Sequence, residues 1–136
     1  MRHTLLIAAA LSLTAAQASA ENWVKYIDAD GGIVWSYDAD YTYRDRTSGR
    51  LVVMQAVAKP SAKIGPSSPG KPDGVGSVVA IDCKDRNLIT LGSYKPSAPL
   101  DIKSTWRSDT PKKATGADNV ALVAAVCAKA DDAPVK

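Results

Sequence analysis

Leu51-Val52-Val53-Met54-Gln55-Ala56-Val57-Ala58 is apolar at every position but one. Side chains alternate between the two faces of a β-strand, so a segment apolar on both faces reads as a central strand covered above and below. Fold class follows from working outward from it. Towards the N-terminus, Trp23 to Asp28 is rich in β-branched and aromatic residues, and Asp28-Ala29-Asp30-Gly31-Gly32 has turn chemistry. The strand resumes over Ile33 to Asp38, where Ile33, Trp35 and Tyr37 alternate onto one face. Asp38 to Gly49 is polar and Tyr-bearing, a turn or an irregular strand. Towards the C-terminus, Ser77 to Cys83 and Asn87 to Tyr94 form a hairpin around Lys84-Asp85-Arg86. Val79, Ile81 and Cys83 share its core face.

Beyond the hairpin, Ile102 to Arg107 reads as a last strand centred on Trp106, ended by Pro111-Lys112-Lys113. Ala117 to Ala130 is the one good helix, with Thr115 or Asp118 as cap. Its stripe is Val120, Val123, Ala124 and Cys127. Residues 131–136 read as a polar, frayed tail. The segment 60–76 carries Pro60, Pro66, Pro69 and Pro72 among glycines and serines, with only Ile64 and Val75 to bury. It reads as a long mobile surface loop. The expected fold is α+β: an antiparallel sheet of about six strands, with a C-terminal helix on one face tied by a disulfide.

The first twenty residues stand outside that fold. Met1-Arg2-His3-Thr4 is a short basic start, Leu5 to Ala16 is a mostly apolar run, and Ala18-Ser19-Ala20 supplies small residues for cleavage. These are the three parts of a secretory signal peptide, and the run is too short to span a membrane. Cleavage after Ala20 leaves one domain, residues 21–136, and loss of Arg2 takes the formal charge from +3 to +2. A charge so near zero argues against nucleic acid as the partner.

Export sets how the cysteines are read. Cys83 and Cys127 are the only two, and an oxidising compartment favours a bond between them. Closing a loop of that length stabilises a fold by about 4 kcal/mol in the chain-entropy model. Two free thiols or a metal site are the alternatives, although no convincing set of further ligands accompanies the pair. His3, the only histidine, leaves with the signal. The remaining chain therefore lacks the imidazole that Ser-His or Cys-His catalysis and His-ligated metals require.

Other motifs weaken on inspection. Asp28, Asp30, Asp38 and Asp40 suggest a calcium loop, but Gly32 takes a ligand position and no closing Glu follows. Gly70 to Ser77 lacks the order of a phosphate loop, and no GxSxG surrounds a serine. Neither a catalytic residue, a metal site nor a cofactor is expected. Lys59, Lys63, Lys71, Lys112 and Lys113 read as solvated lysines rather than a polyanion patch. With no Phe in the chain, the three Trp and five Tyr must supply the aromatic packing. Tyr41 and Tyr43, beside Arg44 and Arg46, are the aromatics expected to be exposed, and these four are the candidate partner-binding residues.

In order, the landmarks are Trp23 to Tyr26, Val34-Trp35, Ile81-Asp82-Cys83, Tyr94, Trp106 and a late Cys127. Together they resemble the surface-adhesin protein E family of Gram-negative bacteria, across nearly all of the chain after the signal. The resemblance implies a six-stranded sheet with a disulfide-tied C-terminal helix, a non-catalytic role in binding host extracellular-matrix protein, and possible homodimerisation. It implies a location in the periplasm or at the cell surface. The family's named adhesin is a lipoprotein, and here no lipobox cysteine stands at the cleavage point. The alternative function is a periplasmic inhibitor or accessory protein of an envelope enzyme.

Overall fold

A computed structural model describes residues 22–58, 74–95 and 98–136 of the chain. Residues 1–20, expected to be a signal peptide, and residues 60–73 of the expected loop lie outside the described residues, as do Lys59, Lys63 and Lys71. The described residues form one antiparallel sheet of seven strands and one α-helix. The strands are β1 (Trp23–Asp28), β2 (Val34–Asp38), β3 (Tyr43–Arg44), β4 (Leu51–Ala58), β5 (Val75–Asp82), β6 (Asn87–Tyr94) and β7 (Lys112–Lys113). Their spatial order is β1-β2-β4-β5-β6-β7, and β3 pairs with β4. The helix, α1, spans Ala117–Cys127. The α+β class and the helix-to-sheet disulfide expected from the sequence are present.

β4 is the central strand. Val52, Met54 and Ala56 on one face and Leu51 and Val53 on the other are all buried. The first face is covered by Trp23, Tyr41, Tyr43, Ile102 and Trp106, and the second by Leu122, Val123 and Val126 of α1. β2 and β3 lie along the same edge of β4, β2 on its second half and β3 on its first. The excursion between them is an Asp38 turn: its Oδ1 accepts from the backbone N–H of Asp40 (3.0 Å) and Tyr41 (3.3 Å), and from Asn22 N–H (3.1 Å). Gly31 (φ 75°) and Gly32 (φ 74°) turn β1 into β2, a conformation open to glycine.

Five expectations need correcting. First, β5 begins at Val75, so Val75 and Gly76 belong to the sheet and not to the loop 60–76. Gly76 is a strand glycine because a Cβ there would lie 1.8 Å from the Gln55 carbonyl oxygen. Second, Ile102 to Arg107 is not a strand. Lys103 N–H donates once to Leu91 O (3.1 Å), and Trp106–Ser108 then forms a 3-10 turn that seats Trp106 in the core. The approach is possible because Gly92 has no Cβ, which would meet Asp101 O at 2.3 Å. The last strand is instead Lys112–Lys113, paired with Asn87 and Leu88.

Third, neither Thr115 nor Asp118 caps α1. Gly116 (φ 83°) occupies the cap with no side-chain bond, and Asp118 sits two residues beyond it, inside the first turn. Fourth, the buried stripe is Leu122, Val123 and Val126, leaving Val120 47% exposed and Ala124 exposed. An Ala-rich helix is weakly apolar all round, so spacing alone does not fix its phase. Fifth, residues 131–136 are not a frayed tail. A 3-10 turn at Ala130–Asp132 leads back to β3, where Arg44 N–H donates to Pro134 O (2.8 Å) and Lys136 N–H to Arg44 O (3.0 Å). Val135 thereby bridges Arg44 in parallel.

Cys83, just past β5, and Cys127, the last residue of α1, form the disulfide, with Cα atoms 5.7 Å apart. Val79, Ile81 and Cys83 all face the helix, as the alternation requires.

Candidate functional site

Two regions compete for the site. The first is the corner chosen from sequence, Tyr41 to Arg46. Tyr41 and Tyr43 are half-buried against the core on the face away from the helix, with their rings edge-on at 6.0 Å. They fall in the same range of exposure as Trp23, Tyr26 and Trp35. Burial, then the neighbouring Tyr43 and Asp38, pushes the Tyr41 phenol up to about 12. Burial likewise raises Tyr43, with Asp45 adding to the shift. Arg44 donates to Gly49 O and Ala130 O, both at 3.1 Å, so its guanidinium holds the tail in place. Of the four candidates, only Arg46 is exposed.

The reason is Asp45, 3% exposed, which the sequence reading passed over. Its carboxylate accepts from Arg107 Nε (2.9 Å) and Nη2, and from the Ser48 backbone N–H (2.8 Å) and hydroxyl (2.6 Å). Those bonds, led by the one from Arg107, hold its carboxyl well below the usual carboxylate range. Arg107 also stacks over Trp106, 4.6 Å from the ring centroid. The corner is therefore a lock joining β3, the Trp106 turn and the tail. No local pattern links Asp45 to Arg107, 62 residues away.

The second region is on the helix side of the sheet. Strand register arranges this face in rows running across the strands. Leu51-Ile81-Leu88 and Val53-Val79-Thr90 lie towards the disulfide, and α1 packs on all of them but Thr90, which is exposed. Tyr37-Gln55-Ser77-Ser93 comes next, and Trp35-Val57-Val75 is outermost. Gln55, Ser77 and Ser93 of the third row and all of the outermost row floor a groove of about 560 Å³ that reaches Val79, Leu88 and Thr90 and is walled on one side by Asp118 and Asn119 at the start of α1. Small-ligand clefts occupy roughly 300–1,000 Å³.

The floor is held in one arrangement. Tyr26 Oη donates to Gln55 Oε1 at 2.7 Å, and Gln55 Nε2 donates to Ser77 Oγ at 3.3 Å. Burial, with Asp118 nearby, raises the Tyr26 pKa, so the phenol stays a donor across the physiological range. Trp35 lies half-buried beside them and Val75 is 55% exposed. From sequence, Trp35 reads as core packing; only the register shows that its row runs past the end of the helix.

Among the described residues, no group of three or more His, Cys, Asp or Glu could hold a metal ion. Asp28, Asp30 and Asp40 are exposed, while Asp38 is buried and committed to its turn. Lys112 and Lys113 are exposed on β7. No described helix is long and apolar enough to cross a membrane. Comparison of the chain with protein-family models, curated proteins and solved structures finds no match.

Proposed function

We propose that the protein is an exported, non-catalytic binding module that docks a macromolecular partner. The groove over Trp35, Gln55, Val57 and Ser77 carries this reading: it is concave, part apolar and part polar, and its floor is pre-ordered by hydrogen bonds. The disulfide agrees with passage through an oxidising compartment. The sequence landmarks add the resemblance to the surface-adhesin protein E family, whose partners are host matrix proteins. Under this reading Tyr41, Tyr43 and Arg44 stabilise the fold, and partner contact falls to the groove, with Arg46 at most peripheral.

The test is capture of matrix glycoproteins by the immobilised protein, followed by surface plasmon resonance. Ser93→Arg, an exposed change on the groove, should weaken capture about tenfold or more, whereas Arg46→Ala should leave it within about twofold. Loss on Arg46→Ala with none on Ser93→Arg would return the site to the corner. Retention of the processed protein inside the outer membrane, bound to an envelope enzyme, would favour the accessory role.

A further inference from the structure

We infer that the groove on the helix side of the sheet binds an uncharged oligosaccharide chain carried by the partner. The inference rests on the binding reading above and gives the contact its chemistry.

Charge narrows the choice. Among the described residues, Lys95 and Asp118 are the only ionisable side chains with full charges at neutral pH that line the groove, one of each sign. Nucleic acids, sulfated glycans and phospholipid headgroups need clustered cations, which the described lining does not carry. Besides Leu88, Thr90, Tyr94 and Asn119 at its margins, the groove has two kinds of surface laid side by side. One row, Trp35-Val57-Val75, is a flat apolar strip. The next, Gln55-Ser77-Ser93, consists of an amide and two hydroxyls. A pyranose ring has the matching form, with C–H groups on its faces and hydroxyls at its edge. The indole of Trp35 can stack on the C–H face while neutral hydrogen-bonding groups meet the edge.

The hydrogen-bonding groups are also orientated in advance. Gln55 Oε1 is occupied by the Tyr26 phenol and Nε2 is turned to Ser77, so the Ser77 hydroxyl, whose oxygen accepts that bond, must donate elsewhere. Gln55, 5% exposed, already has a partner at each end, so a purely apolar occupant would strand only the Ser77 and Ser93 hydroxyls, at a cost of roughly 1–3 kcal/mol each. A sugar hydroxyl, both donor and acceptor, fits them.

The experiment titrates the 15N-labelled protein with chitohexaose, cellohexaose and a sulfated heparin hexasaccharide, following 1H–15N spectra. Saturable shifts at the Trp35 indole, the Gln55 amide and Ser93 with at least one neutral probe, and none with heparin, are expected. Trp35→Ala should weaken binding about tenfold, with Trp35→Phe recovering part of it. Because Trp35→Ala also removes a half-buried side chain from the sheet, Ser93→Arg, at an exposed position, provides the second block. In parallel, the matrix glycoprotein that the protein captures is offered again after enzymatic removal of its glycans, and capture should fall. No response to either neutral probe, shifts mapping to residues 41–46, or an equal response to heparin would overturn the inference. Capture undiminished by glycan removal would also overturn it while leaving the binding reading intact. Shortening of a probe during the titration would instead overturn the non-catalytic reading.

Discussion

On the helix side of the sheet, β4 and β5 run through two different environments. Near the disulfide, Leu51, Val53, Val79 and Ile81 lie under Leu122, Val123 and Val126 and are all but inaccessible. Two rows further along, Val57 is half-buried and Val75 is 55% exposed on the same strands. What changes is the length of the cover: an eleven-residue helix at about 1.5 Å per residue spans roughly 16 Å, while an eight-residue strand at about 3.3 Å spans roughly 26 Å. The closed half stabilises the domain. The open half keeps the hydroxyls of Ser77 and Ser93, which burial under the helix would have penalised, over a Gln55 that is itself buried and hydrogen-bonded at both ends.

Breaking that contrast should hurt most where the helix is tied. Replacing both Cys83 and Cys127 by Ala is expected to cost about 4 kcal/mol in urea denaturation, with the groove rows unaffected in the folded fraction. A cost below about 1 kcal/mol would mean that packing alone holds the helix. Leu122→Ala, which empties the centre of the closed half, should cost about 3 kcal/mol by the same measurement. Gly76→Ala puts a methyl against the Gln55 carbonyl. It should cost about 2 kcal/mol and disturb the β4–β5 pairing in amide exchange. Gly31→Ala, with nothing within 4 Å of the added methyl, carries only the strain of a positive φ, about 1 kcal/mol.

A fifth test is pH. The folded pKa of Asp45 is depressed, so its contribution is fully present above the ordinary unfolded carboxylate value of about 3.9. It is lost as pH falls below that value towards the folded pKa. The thermal midpoint should drop on acidification from about pH 5 downward, and Asp45→Asn should flatten that dependence while lowering the midpoint at neutral pH. An unchanged acid slope in the variant would remove Asp45 from the account. The smallest effect belongs to the open half: Val75→Ser should change stability by less than about 0.5 kcal/mol.

How much of this was legible depended on how local its cause was. Leu51 to Ala58, the hairpin through Lys84 to Arg86 and the Cys83–Cys127 pair were readable because composition over a few residues settles each. Trp106 was misread as strand because its placement depends on the missing Cβ of Gly92, on another strand. Lys112–Lys113 has no apolar signal at all, and the tail is ordered by Arg44, far away in sequence. The corner looked like a binding surface for a sound compositional reason, Tyr beside Arg. The same residue types also build locks, and Arg107 decides which. The groove appears only once the register of three strands is known, since Trp35, Gln55 and Ser77 share no local motif.

The disulfide has a mechanical consequence. Tension applied between residue 22 and residue 136 would enter at β1 and leave through the tail. The Cys83–Cys127 bond, which spans 44 residues, shunts that load directly from the end of β5 to the end of α1. β6, β7 and nearly all of the helix then carry no force. Full extension of the oxidised domain would be shorter by roughly 150 Å, at about 3.4 Å per residue. A module tethered at one end and held to a partner in flow would thus keep β6 and the helix behind a covalent bypass, even after β1 had been peeled away.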